Sequence, residues 1–200
     1  MEPELVLAFS DLQAGIVADL VRAGVDVHVF NQRDIAGILA MIRTLGALVG
    51  AAEPAEVLAH GLERRLAEIA ATPRPSARPK VYFEEWDDPL ISGIGWVSEL
   101  IEIAGGEDVF PELRHRQAAK DRIVSAEAVR ESAPDVILAS WCGKKVVPAR
   151  IRARHRWNEI PAVRDDRIVE IKSPIVLQPG PAALTDGLDA IVTALWGGLK

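Results

Sequence analysis

The sequence has little cysteine. One thiol, Cys142, in 200 residues allows no internal disulfide, so cysteine usage leaves the redox compartment open. It has no apolar run long enough to span a bilayer, which excludes a membrane-spanning helix. Positive charge is also short. Lys and Arg number 23 against 29 Asp and Glu, a net charge of −6, and a nucleic-acid coat wants the opposite. At the start, Met1-Glu2-Pro3-Glu4 runs directly into the apolar residues 5–9. There is no basic n-region, apolar h-region or small-residue cleavage site. Enzyme motifs are missing as well. The chain has no Walker loop, no Gly-x-Ser-x-Gly and no His-Glu-x-x-His. Residues 93–98 open like a dinucleotide fingerprint but carry Ser98 where a third Gly or Ala belongs. The four histidines are scattered, none at i, i+4, and Cys142 has no second thiol, which argues against zinc. Cys142 also lacks an identifiable base that would make it a nucleophile.

What remains is a globular composition, 49% apolar and 26% charged. Aromatics are few, yet five of them are Trp, more than either Phe or Tyr. Residues 5–9 are a continuous apolar run, as a buried parallel strand requires. Ser10 and Gln13 stand in capping-box spacing and open a helix that Gly24 ends. Residues 25–30 alternate as a second strand, and Asn31 caps the helix after it. Pro54 starts a long helix with Val57, Leu58, Leu62, Leu66 and Ile69 on its apolar stripe. Three prolines in residues 73–79 then mark the main internal boundary. Beyond it, residues 81–83 read as a strand, 84–89 as a loop, 91–104 as a helix and 107–124 as a long loop. Strands at 135–139 and 167–171 and a helix at 181–196 complete the chain. Strands alternate with helices throughout, which predicts an α/β fold with mostly parallel sheets.

The two halves share a phrase. Pro3-Glu4-Leu5-Val6-Leu7-Ala8-Phe9-Ser10 matches Pro134-Asp135-Val136-Ile137-Leu138-Ala139-Ser140-Trp141. This reads as one α/β unit used twice. A strand, a helix and a long loop in residues 80–133 precede the second phrase; only Met1 and Glu2 precede the first. The expectation is a first unit lacking its opening βα element, with an open-edged two-stranded sheet prone to self-association.

Open α/β sheets bind ligands beyond the carboxyl ends of their strands. Residues predicted there are Phe9, Ser10, Trp86, Asp87 and Trp141, three of them aromatic surfaces for a large flat ligand. The run Glu84-Glu85-Trp86-Asp87-Asp88 lacks the EF-hand spacing and its Gly. It reads as a solvated or docking loop that disfavours anionic ligands. His115, within Arg114-His115-Arg116, reads as an exposed basic turn.

The opening Pro3-Glu4-Leu5-Val6-Leu7-Ala8, the boundary helix, residues 81–86, Ala104-Gly105-Gly106-Glu107-Asp108-Val109-Phe110 and Asn158-Glu159-Ile160-Pro161-Ala162-Val163 together resemble the helical-backbone class of substrate-binding proteins. These serve ABC importers for cobalamin, haem and ferric siderophores. Within that class the chain looks most like the cobalamin-binding branch. The resemblance implies two Rossmann-like lobes joined by a long helix: a partial N-terminal lobe in 1–52, the linker in 53–72 and a C-terminal lobe in 77–200. It implies a corrinoid, cobalamin-like ligand in the inter-lobe cleft, touched by Phe9, Ser10, Trp86, Asp87 and Trp141. It further implies no catalytic cofactor, no metal site and no enzyme activity. The implied partner is an ABC permease if the chain is exported, with no nucleic acid. Residence is periplasmic or extracytoplasmic by resemblance, and cytoplasmic if Met1 is the true start. The departures are the absent export signal and opening βα unit. A haem or siderophore binder, or a cytosolic α/β protein that kept the fold and lost transport, are the alternatives.

Overall fold

The computed structural model describes residues 3–197. The chain begins with strand β1 (Val6–Phe9), helix α1 (Ala14–Arg22) and strand β2 (Val27–Phe30). β1 and β2 pair in parallel, from Val6 opposite Val27 to Phe9 opposite Phe30. Among the described residues β1 has no strand on its other edge.

Helices α2 (Ile35–Leu48) and α3 (Ala52–Ala70) follow. The cap of α2 is Asp34, not Asn31: its Oδ1 accepts from the Gly37 N–H at 2.6 Å. α2 and α3 touch closely at Gly46, where a β-carbon would lie 2.2 Å from that of Ala55. The buried Ile35, Ile38, Leu39 and Ile42 of α2 join Ala59, Leu62 and Leu66 of α3 in one apolar cluster. That cluster continues into the C-terminal region.

There the central sheet runs in the order β4-β3-β6-β7, from β3 (Lys80–Asp87), β4 (Leu90–Ser92), β6 (Val136–Ala139) and β7 (Ile168–Glu170). A short strand β5 (Glu107–Asp108) adds in parallel at the start of β3. The mainly parallel order confirms the α/β expectation. Two local expectations fail. Residues 84–87 continue β3 instead of forming a loop, and Leu90–Ser92 folds back on them as an antiparallel strand. Helix α4 therefore starts at Gly95 and runs to Ile103. The expected loop at 107–124 contains β5 and two 3-10 turns, Pro111–Leu113 and Ala119–Arg122. The remaining helices are α5 (Ala126–Ser132), α6 (Pro148–Arg152), α7 (Pro161–Arg164), α8 (Ser173–Val176) and α9 (Leu188–Trp196). A π-helical segment, Ala183–Gly187, leads into α9.

The pleat divides the core in two. Val81, Phe83, Val136 and Leu138 face α4 and α9 in the cluster that also holds α2 and α3. Tyr82, Ile137 and Ala139 face the opposite way, onto Trp141, Trp157 and Ile160. All four residues of β6 are buried, as its continuous apolar run requires. No helix of the described residues is long and apolar enough to cross a membrane.

Candidate functional site

The chain leaves β1 through a tight turn. Ser10 sits at φ 68°, its N–H donates to the Phe30 carbonyl at 2.9 Å, and its Oγ accepts from the Leu12 N–H at 3.3 Å. Gln13 Oε1 takes the Phe9 N–H at 2.6 Å. The Ser10/Gln13 spacing thus forms a reciprocal cap, displaced by one residue and opening on a 3-10 turn, Asp11–Gln13, ahead of α1.

Across from this turn stands the start of α4. The Trp96 N–H donates to the Arg33 carbonyl at 3.0 Å, and the Ile35 N–H donates to Glu99 Oε2 at 2.7 Å. Gly95 makes the approach feasible, since a β-carbon there would meet the Arg33 carbonyl oxygen at 2.3 Å. The indole N–H of Trp96 donates to the Val176 carbonyl at 2.9 Å, which fixes the ring. Gln32 Nε2 donates to the Pro179 carbonyl at 3.1 Å. Residues 32–35 are therefore stitched to the C-terminal region by backbone and side chain together.

Above this seam lies a cleft of about 600 Å³. Phe9, Ser10, Leu12 and Arg33 line it from one side, and Ile94, Trp96, Arg122 and Leu177 from the other. Its size and mixed lining match small-molecule sites, and it sits past the carboxyl ends of β1 and β2. Cys142 also reaches it and is exposed. Arg33 stacks near Phe9, with its guanidinium carbon 5.1 Å from the ring centroid. Burial holds the Arg33 pKa below its ordinary value. Nearby Arg122 adds to this effect, while Asp11 and Glu85 oppose it.

The acidic run is not a solvated loop. Glu84 is fully buried on β3 and accepts from both terminal nitrogens of Arg154 and from the Trp141 indole N–H at 2.9 Å. Glu85 takes a two-pronged contact from the buried Arg122, at 2.7 and 3.1 Å. Asp87 is paired with Lys144 and with Arg150 at 3.2 Å. Burial acts to raise the Asp87 pKa, but Lys144 and Arg150 outweigh it and hold the carboxyl below its usual range. The carboxylates clamp the segments that follow β6 and the 3-10 turn at 119–122 onto the C-terminal half of β3. Alternation along β3 explains the misreading: this run is strand, so its acids face neighbouring elements instead of water.

The five sequence-predicted site residues separate accordingly. Phe9 and Ser10 line the cleft. Trp86, Asp87 and Trp141 do not. Trp86 donates its indole N–H to the Asp88 carbonyl at 2.9 Å and carries the Lys144 ammonium 3.9 Å above its ring. Asp87 is held by its two cations. Trp141 is 1% exposed and borders a separate hollow of about 360 Å³ with Lys144, Lys145 and Lys172. Sequence reasoning missed Arg33, Trp96 and Arg122. Arg33 lies two residues after Asn31, just past the end of the second strand, and the strand-end rule extends to it. Trp96 lies in the glycine-spaced run that was set aside as a failed fingerprint. Arg122 gave no signal, because its meaning depends on Glu85 across the sheet. Among the described residues no group of three or more His, Cys, Asp or Glu could hold a metal ion.

Known proteins share this architecture. A cobalamin-binding protein of Halobacterium salinarum is 29% identical over 141 residues, 69% of this chain and 38% of that protein. An uncharacterized ABC transporter substrate-binding lipoprotein of Bacillus subtilis is 23% identical over 98% of this chain and 63% of its own length. The chain thus spans less than two thirds of these curated relatives. Among solved structures, the periplasmic vitamin B12 binding protein of Vibrio cholerae superposes with a TM-score of 0.69 at 22% identity, covering 96% of this chain and 74% of that one. A periplasmic heme binding protein of Pseudomonas aeruginosa superposes at 0.80 and 20% identity, covering 99% and 74%. At these identities the structural likeness concerns the fold alone. The periplasmic binding protein family matches residues 1–175, and this chain belongs to that family.

Proposed function

We propose that the chain serves as a solute-binding component of an ABC importer. In this reading it holds a corrinoid, cobalamin-like ligand in the cleft, presents it to a permease outside the cytoplasm, and does no chemistry on it. The observation that carries this reading is the cleft itself. Phe9, Leu12, Ile94, Trp96 and Leu177 give it apolar walls, and hydrogen bonds between residues 32–35 and the C-terminal region preform it. A preformed wall loses little ordering entropy on binding. Family membership and the cobalamin-binding name of a relative support the same reading. Phe9 and Ser10 are the proposed ligand contacts; Trp86, Asp87 and Trp141 hold neighbouring segments through their own hydrogen bonds and ion pairs. Self-association through the open edge of β1 belongs to the same proposal.

Calorimetric titration with cyanocobalamin, with haem as the alternative ligand, tests the function. One corrinoid should bind per chain, and Phe9→Ala should weaken it about tenfold, the usual loss when an aromatic anchor is truncated. Haem binding without corrinoid binding would replace the corrinoid by the second ligand class. No binding of either, or an unchanged affinity in Phe9→Ala, would overturn the proposal.

A further inference from the structure

We propose that the cleft carries a subsite for an anionic group of the ligand, a carboxylate or a phosphate ester, received by Arg33 with Lys120 and Arg122 around it. This rests on the cleft being the ligand site, and it narrows the ligand to a flat apolar body with an acid on its rim. Arg33 comes from the segment after β2, whereas Lys120 and Arg122 come from the 3-10 turn Ala119–Arg122, so the three cations converge from both walls.

Existing partners leave Arg33 and Lys120 under-used. Arg33 donates to the Gln32 carbonyl at 3.3 Å and stands 3.6 Å from Asp11, both long contacts. Its Nε is buried and has no hydrogen-bond partner. Lys120 has no ion-pair partner among the described residues. Arg122 is 1% exposed; its terminal nitrogens go to Glu85 and the Ser92 carbonyl, and its Nε is likewise unpartnered. Arg33 therefore supplies the free donors and Lys120 the unpaired charge, while Arg122, neutralised by Glu85, borders the subsite. Burial and Arg122 act against the charge on Arg33, and Asp11 and Glu85, which line the same cleft, offset them only in part. The planar fork of Arg33 suits a carboxylate or phosphate, and its stacking beside Phe9 places the acid next to the apolar wall.

Two matched ligand pairs test the subsite on the full chain. Cobinamide phosphate carries a phosphate ester that cobinamide lacks; haem carries carboxylates that its dimethyl ester lacks. Calorimetry should show Arg33→Gln losing about tenfold to a hundredfold in affinity for the acid-bearing member. The member without the acid should change less than about twofold, and Arg33→Lys should recover part of the loss. Whichever pair responds identifies the acid. Equal losses for both members, or none, would overturn the subsite. If no tetrapyrrole binds, the proposed ligand class fails, and inorganic pyrophosphate then probes the subsite alone. Its titration should shift the Arg33 Nε–H resonance saturably, with that signal absent from Arg33→Gln. No shift would overturn the subsite as well. The Arg33 carbonyl that accepts from Trp96 is untouched by these variants, so the seam is retained.

Discussion

The shared phrase gives the same strand two different lives. β6 lies between β3 and β7 and buries every residue. β1 has β2 on one side only among the described residues, and Leu7 on it is exposed. The helix after β1 follows suit. α1 buries no residue: Ile16 on it is 64% exposed and Leu12 just before it 90%, while Trp141 and Trp157 on the C-terminal side are sealed. Strand propensity is alike in both places, so what separates them is the number of neighbours on each face and edge. Ion pairs repeat the lesson. Arg154–Glu84 is buried, and Arg22–Asp19, on α1, is mostly in water.

Substituting the two acids should expose that contrast most strongly. Glu84→Ala strands Arg154 and the Trp141 indole N–H in a buried site, and the expected cost is about 3–5 kcal/mol in urea unfolding. Asp19→Ala breaks an exposed i, i+3 pair and should leave the midpoint unchanged within error. Similar losses from both would mean that burial does not divide the two regions as argued.

The seam between the regions should respond next. Gly95→Ala places a β-carbon against the Arg33 and Arg114 carbonyl oxygens, at 2.3 and 2.8 Å. Both are backbone and cannot swing aside. The expected cost is about 1–3 kcal/mol, with faster amide exchange at Trp96, whose N–H loses the Arg33 carbonyl, and little change in β6. Uniformly faster exchange across the large sheet would instead show that the seam and the sheet open as one unit.

Much of the fold was legible because it rests on local pattern. The apolar run of β6 and the Ser10/Gln13 spacing carry their signal within a few residues. The stripe expected on α3 is packed only at Leu62, Leu66 and Ile69; Val57 and Leu58 are exposed, and the small Ala55 and Ala59 take the face toward α2 and the core. Residues 84–92 were not legible. Four acids around one Trp look like a loop until Arg122, Lys144, Arg150 and Arg154 are brought to three of them, Glu84, Glu85 and Asp87, from 37 to 70 residues away. The site shows the same division. Phe9 and Ser10 could be placed by rule at a strand end. Trp86 and Trp141 obeyed the same rule but spend their indole N–H groups on Asp88 and Glu84. A rule about strand ends says where a side chain starts; its partners, which come from distant segments, decide whether it is free to meet a ligand.

The smallest expected effect is a pH dependence at the seam. Glu99 accepts the Ile35 N–H across it, and burial raises the carboxyl pKa above its usual value. Asp34 and Glu102 push in the same direction, and Arg114 and the Ile35 N–H push against it. A carboxyl whose folded pKa is raised contributes stability that is fully present below its unfolded pKa. That contribution is lost as pH rises through the folded pKa. Ionised Glu99 therefore weakens the seam at neutral pH relative to a neutral acceptor in the same place. Glu99→Gln keeps an oxygen for the Ile35 N–H and removes the charge. It should match the parent chain near pH 3.5 and melt about 1–2 °C higher at pH 7, a small gain for a domain of this size. A lower melting point at pH 7 would show that the charge on Glu99 strengthens its bond to Ile35 by more than burial penalises it, and that the seam is held by an ion rather than by fit.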